Sequence, residues 1–173
     1  MTESLTPSEI VIRPASGQSD AAQIARIYNH YVDVGGATFD KVHWPVERVE
    51  KLLEIGLPDG CYVADLNGHL LGWASARQFS DRAGFRFSCE TAIYLDADAV
   101  GKKIADPLQQ AIDLHCRENG IHHAVAKVIA SNQRSMAFHY RSGYELVGIQ
   151  KEIGHVNGQW EDVAILQKIY NNS

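Results

Sequence analysis

Two side chains stand out in this sequence as candidates for proton transfer. Glu90 interrupts the aromatic-rich run Phe85-Arg86-Phe87-Ser88-Cys89-Glu90-Thr91-Ala92-Ile93-Tyr94-Leu95. A carboxylate between Phe87 and Tyr94 is expected to be partly desolvated, which raises its pKa towards neutrality and suits it to acid–base work. On a solvated strand face the same residue would simply pair with Arg86. His139, just ahead of Gly143, carries an imidazole with an ordinary pKa of about 6.5, able to hold or pass a proton at neutral pH. Packing is the other role open to it, and Tyr140 offers a weaker proton donor on a different helix face. Arg77, Arg82 and Arg86 cluster beside aromatic residues, an arrangement that can hold a carboxylate or another anion bidentately or can simply be solvated. His122 and His123 are adjacent, so on a strand they face opposite sides and cannot share an ion. With no ligand constellation elsewhere, no metal is expected.

These residues need a scaffold, and the pattern supplies one. Ile10 to Pro14 reads as a first strand, stopped by a proline that cannot donate to a ladder. Ser19-Asp20 offers an N-cap for a helix whose apolar positions Ile24, Ile27, Tyr28 and Tyr31 recur at helical spacing up to Gly35-Gly36. A second helix is expected from Pro45 to Ile55, closed by Gly56. Strands Cys61–Leu66 and Leu70–Ala76 flank Asn67-Gly68, a hairpin signal. Residues 85–95 alternate as a strand with Phe85, Phe87, Cys89, Thr91, Ile93 and Leu95 on one face. A helix follows over about 103–119, then a strand over 122–130, a helix over 131–142, and strands 146–154 and 163–169 joined through Asn157-Gly158. Interleaved strands and helices of this kind make the class mixed α/β.

Composition narrows the field. The chain has 173 residues, with 16 Lys and Arg against 21 Asp and Glu, a formal charge of −5. That length fits a single domain with a core of its own, here residues 10–173 behind a flexible leader, 1–9. The acidic balance counts against nucleic-acid or anionic-membrane partners, which call for a basic face. No apolar run approaches the roughly 18 residues of a membrane span. The leader, with Glu3 and Glu9, lacks the basic and apolar regions of a signal peptide. Cys61, Cys89 and Cys116 form no CxxC pair, which fits a reducing compartment and offers neither a disulfide framework nor a zinc site. A cytoplasmic protein is expected.

Several stretches taken in order carry more. They are Ile12-Arg13-Pro14-Ala15, Ile27-Tyr28-Asn29-His30-Tyr31 with Thr38-Phe39, Gly84 to Glu90, Ile93-Tyr94-Leu95, the set Asn132, Ser135, His139, Gly143 and Tyr144, and Trp160 with Asp162. Over roughly residues 10–170 this ordered spacing resembles a GNAT-fold N-acetyltransferase, of the branch of phosphinothricin and methionine sulfone or sulfoximine acetyltransferases. The resemblance implies a mixed, mostly antiparallel central sheet flanked by helices and splayed at the cofactor site. It implies acetyl-CoA as co-substrate, a small amino-acid-like amine as acceptor, and a homodimer.

The resemblance also implies roles. Glu90 would be the general base, acting through a water, and His139 an acid or a positioning group. The family's diphosphate loop, (Arg/Gln)-x-x-Gly-x-(Gly/Ala), matches Val100-Gly101-Lys102-Lys103-Ile104-Ala105 with Asp106 following; backbone N–H groups entering a helix hold the anion there. Val100 replaces the Arg or Gln, and Lys103 replaces a glycine that such a turn needs for an unusual φ. Asn132 would bond the pantetheine arm or cap its own helix, and Ile93, Tyr94 and Leu95 would offer backbone groups to the pantetheine amides. For the acceptor, the resemblance points to Phe39, Ser80, Asp81, Arg82, Arg86, Glu90, Thr91 and Ala92. Phe79-Ser80 stands where the resembling enzymes have a Trp and a basic residue, which leaves other amines, such as polyamines or peptide N-termini, as rival acceptors. The altered loop leaves a ligand-sensing module without catalysis as a second rival.

Overall fold

The structure is a computed structural model describing residues 9–171, so apart from Glu9 the expected leader lies outside the described residues. Seven strands form one sheet: β1 (Ile10–Pro14), β2 (Gly60–Leu66), β3 (His69–Gln78), β4 (Ser88–Leu95), β5 (His123–Ile129), β6 (Glu145–Val156) and β7 (Gln159–Ile169). Their spatial order is β1-β2-β3-β4-β5-β7-β6, and every neighbouring pair is antiparallel except β4 and β5. Four helices accompany them: α1 (Gly17–Val34), α2 (Val46–Leu53), α3 (Ala105–Glu118) and α4 (Gln133–Arg141).

Both faces of the sheet are covered, which is why β3 is buried almost continuously rather than in alternation. On one face α1 and α2 pack Ile24, Ile27, Tyr28 and Val49 against Val63, Leu70 and Trp73. On the other, α3 packs Leu108, Ile112 and Cys116 against Ala64, Leu71, Ala74 and Leu166. Full burial of each such Leu or Ile contributes about 1.5–3 kcal/mol.

Several expected boundaries move: β7 begins at Gln159 rather than at 163, and α2 and α4 are shorter than expected, while three other shifts have an identifiable cause. α1 starts at Gly17, with Ser16 rather than Ser19-Asp20 in the cap position. Asp20 is instead turned inward, where its carboxylate accepts from Arg13 Nη1 (2.7 Å) and Nη2 (3.0 Å) and from the Ser16 N–H (2.8 Å). Since Arg13 also reaches Asp65, this one cluster ties β1 to α1 and β2. β4 starts at Ser88, because Ala83–Phe85 coil into a single 3₁₀ turn that leaves Phe85 and Phe87 about half exposed. α3 starts at Ala105, with Pro107 in its first turn, where the missing N–H has no intrahelical partner to lose.

Candidate active site

β4 and β5 pair only from Ser88–His123 through Glu90–Val125, after which they diverge. A cleft of about 770 Å³ opens between Thr91–Leu95 on one side and Ala126–Ile129 on the other. The far end of β4 is fixed: the Tyr31 hydroxyl donates to the Leu95 carbonyl (2.5 Å), and Arg26 pairs with Asp96 at 2.6 Å. Ile93, Tyr94 and Leu95 therefore line a held-open gap in the sheet.

One end of the cleft is formed by Val100, Gly101, Lys103, Ile104, Ala105 and Asp106, while Lys102 lies outside the lining. Gly101 has φ +81° and Lys103 φ +61°. The turn thus adopts at Lys103 the left-handed conformation for which its glycine counterpart is suited, and the lysine bears the strain. Immediately after, the first turn of α3 presents unpaired backbone N–H groups, the usual setting for phosphate oxygens. Asp106 would repel an anion, but Arg141 stands 3.3 Å from it, and Arg134 is a further cation of the lining. Spacing gave no signal for Arg134 or Arg141; both come from α4, across the cleft. The donors present fit a diphosphate.

Asn132 caps α4, its Oδ1 accepting from the Ser135 N–H (3.1 Å), and its Nδ2 donates to the Gly36 carbonyl (3.1 Å). His139 is buried beside Phe138 and Tyr144, and its Nδ1 lies 2.7 Å from the Ser135 carbonyl oxygen. That nitrogen must carry the proton, since a carbonyl only accepts, so in the neutral ring Nε2 is an acceptor. Burial pushes the His139 pKa down, against a smaller upward effect of the Ser135 bond. Tyr140 is about half exposed and absent from the lining.

Glu90 is not enclosed between Phe87 and Tyr94 as expected. Its side chain is 40% exposed, and Oε2 meets Lys127 Nζ of β5 at 3.0 Å. Arg86 instead lies over the Phe87 ring, 4.4 Å from its centroid. The Lys127 pairing leaves Oε1 for a substrate or a bridging water. Thr91, one residue on, faces the core and shares a hydrogen bond with the Tyr144 hydroxyl (2.7 Å).

Glu90, Ala92 and Tyr94 also border a second cavity, of about 300 Å³, on the α1–α2 face. Its floor is set by register: Trp73, Ser75 and Arg77 of β3 stand opposite Tyr94, Ala92 and Glu90 of β4. Its roof comes from Tyr28, Trp44, Arg48, Leu52 and Leu53. Trp44 stacks on Tyr28 at 3.8 Å and Trp73 on Tyr94 at 5.1 Å. The Tyr28 hydroxyl and Trp44 Nε1 both donate to Asp40. Burial raises the pKa of Tyr28 and Tyr94 well above the ordinary phenol value, so both stay protonated at neutral pH.

Of the residues expected to bind acceptor, Glu90 and Ala92 reach both cavities and Thr91 reaches the cleft. Ser80, Asp81, Arg82 and Arg86 lie on the β3–β4 loop, outside both linings. Phe39 is also outside them; its ring is pressed onto β6 at Gly154, where any Cβ would collide with it. Arg77 does reach the cavity, with Nη1 donating to the Leu52 carbonyl (2.7 Å) and Asp59 at 3.7 Å. Arg48 went unread in the sequence. Among the described residues, no group of three or more His, Cys, Asp or Glu could hold a metal ion. No helix among them is long and apolar enough to cross a membrane.

A sheet splayed beside an anion-binding helix start, with a carboxylate where two cavities meet, is the arrangement of an acyl-transfer enzyme, and the chain belongs to the GNAT acetyltransferase family: residues 14–165 match the model of the acetyltransferase (GNAT) domain. It is an acetyl-CoA-dependent N-acetyltransferase. Among its relatives is the phosphinothricin N-acetyltransferase of Alcaligenes faecalis, 31% identical over 88% of this chain and 79% of that protein. An L-methionine sulfoximine/L-methionine sulfone acetyltransferase of Pseudomonas paraeruginosa is 28% identical over 88% of this chain and 90% of its own length. The phosphinothricin acetyltransferase of Sinorhizobium meliloti, solved in complex with acetyl-CoA, superposes with a TM-score of 0.85 at 30% identity over 93% of this chain and 88% of that one.

Proposed function

We propose that this enzyme acetylates the α-amine of a small amino-acid-like acceptor of the phosphinothricin, methionine sulfone or methionine sulfoximine class. The observation that carries the reading is the position of Glu90, which borders both the cleft and the aromatic cavity. Acetyl-CoA supplies the acetyl group as a thioester. Arg134 and the N–H groups at the start of α3 hold its diphosphate while the exposed Lys103 ammonium adds only screened charge, Ile93–Leu95 offer backbone groups to its pantetheine arm, and Asn132 stands at that arm's path. Glu90 Oε1 takes a proton from the acceptor ammonium through a water, freeing the amine to attack the carbonyl carbon. The amide forms as the carbon–sulfur bond breaks, and the second proton shed by the attacking nitrogen passes to the departing thiolate, which leaves as free thiol. His139, neutral with Nε2 as acceptor, serves as a positioning group.

The relatives' acceptors support the class, and so does the cavity's charge. Arg77 faces Asp59 and Glu90 faces Lys127, so Arg48 is left as the cation of the lining without an ion-pair partner among the described residues, a balance suited to a carboxylate-bearing acceptor and unsuited to a polyamine. The reading includes a single catalytic domain over residues 10–173 working in the cytoplasm. It also includes a homodimer, supported by the exposed apolar side chains Leu146, Val147, Ile149, Ile153 and Trp160 on β6 and β7. The test is Glu90→Gln. Turnover of methionine sulfone is expected to fall about 100-fold or more, most at lower pH, with acetyl-CoA binding by calorimetry retained. A parallel loss of binding would make Glu90 a structural residue.

A further inference from the structure

One amine of the protein itself touches the carboxylate that serves as base. Lys127 lies two residues beyond the last rung joining β4 and β5, on the same face of β5 as Val125, the partner of Glu90 in that rung. From there its side chain reaches back across the opening seam, and Nζ donates to Glu90 Oε2 at 3.0 Å. Lys127 lines the cleft, and its side chain is 49% exposed. An ion pair between two side chains this exposed adds little to stability, so the fold itself gives a lysine small reason to be here.

The other lysines stand apart from the carboxylate. Lys103, which also lines the cleft, belongs to the turn before α3, among the diphosphate donors. Lys151 and Lys168 pair with Asp162 and Asp113, and neither lines the cleft. The functional reading places the acceptor nitrogen one water away from Glu90. Lys127 Nζ is nearer than that, with direct contact. On losing one proton it becomes the same kind of nucleophile as the acceptor amine.

We infer that Lys127 is a site of self-acetylation, modified by the donor bound in the cleft when no acceptor is present. This rests on the functional reading above and extends it to a second nitrogen. Glu90 Oε2 takes one proton directly from the Nζ ammonium and later releases it to water. The neutral amine attacks the thioester carbonyl carbon. The carbon–nitrogen bond forms as the carbon–sulfur bond breaks, and the second proton shed by nitrogen passes to the departing thiolate. The products are Nε-acetylated Lys127 and the free thiol of CoA. Acetylation removes the positive charge, so the ion pair with Glu90 is lost.

The experiment is incubation of the purified full-length protein with acetyl-CoA and no acceptor, followed over time by peptide mass spectrometry. Exposed Lys41 and Lys51 in the same sample report the unassisted reaction of acetyl-CoA with surface lysines. Lys127 is expected to be acetylated at least about tenfold faster than either, through proximity and base assistance. Desulfo-CoA, which fills the cleft but carries no thioester, should slow Lys127 and leave Lys41 and Lys51 unchanged. Glu90→Gln should bring Lys127 down to their rate, with calorimetric binding of desulfo-CoA reporting that the cleft is intact. Equal rates at all three lysines, no protection by desulfo-CoA, or undiminished labelling of Lys127 in Glu90→Gln each overturn the inference. The same preparation is assayed with methionine sulfone, methionine sulfoximine and phosphinothricin. Turnover of any of them with no preference for Lys127 leaves the functional reading standing and this inference overturned. Preferential acetylation of Lys127 with no turnover of the three upholds the inference and overturns the acceptor class.

Discussion

Replacing Lys103 by glycine should make this enzyme more stable without loosening its hold on acetyl-CoA. Lys103 sits at φ +61° in the turn leading into α3. The left-handed conformation costs an L-residue about 1–2 kcal/mol, and glycine relieves this while giving back about 0.5–1 kcal/mol of unfolded-state entropy. The net gain is about 0.5–1 kcal/mol, which for a domain of this size raises Tm by about 1–4 °C. The opposing effect is loss of an ammonium from the cleft lining. At an exposed site such a charge is worth about 0–1 kcal/mol, so Kd for acetyl-CoA should change less than about fivefold. Thermal melts of Lys103→Gly and Lys103→Gln, with calorimetric titration of acetyl-CoA and of desulfo-CoA, separate the two effects. Glycine should raise Tm and glutamine should not. If Tm fails to rise in the glycine variant, the strain argument is refuted. A loss of affinity beyond tenfold in both variants would show the lysine retained for a direct phosphate contact.

Two further outcomes follow from buried titratable groups. Burial lowers the His139 pKa in the folded state, so the folded protein binds fewer protons there than the unfolded chain. The associated stability is fully present above the unfolded value of about 6.5 and is lost as pH falls through the lower folded pKa; melts of His139→Phe between pH 7.5 and 5.5 should show a flatter decline than wild type. The hydrogen bonds from Arg13 hold the Asp20 pKa below the usual carboxylate range. That contribution is present above the unfolded value of about 3.9 and lost as pH falls below it. Arg13→Met should therefore shift the acid-unfolding midpoint upward and cost about 2 kcal/mol at neutral pH, discounted from the fully buried case because Arg13 is a third exposed. An unchanged acid midpoint would show that Asp20 does not depend on Arg13.

Local chemistry made much of this fold readable. Asn67-Gly68 between two apolar runs could hardly be anything but a hairpin, and Gly35 and Gly143 stop helices where they were expected to. The misplaced boundaries follow from side-chain contacts and backbone pairing that residue spacing does not show. Asp20 looks like a cap until Arg13 folds back onto it, and the aromatic alternation of residues 85–95 continues past the point where backbone pairing stops. The same division runs through the site. Glu90 was legible because a lone acid in an aromatic strand is conspicuous. Its partner Lys127 was not, because it comes from the parallel neighbour β5, far away in sequence. Arg48, Trp44 and Trp73 escaped notice because the aromatic cavity exists only once α1 and α2 are laid over β3 and β4. The loop arginines Arg82 and Arg86 drew attention by composition, yet it is Arg48, an ordinary helix residue by spacing, that overhangs the cavity.

The short pairing of β4 with β5 has a mechanical side. The sheet is two stiff antiparallel panels, β1–β4 and β5–β7, joined edge to edge by three rungs where the ladders on either side have seven. The join is the seam along which the two panels would part most readily under heat or load. A donor molecule lying in the opened part of that seam touches both panels and acts as a clasp between them. At a concentration of 100 times its Kd it adds about 2.7 kcal/mol to the folded state, much of it concentrated where the framework is thinnest. Resistance of the enzyme to unfolding and to proteolysis would then rise and fall with the supply of its own acetyl donor.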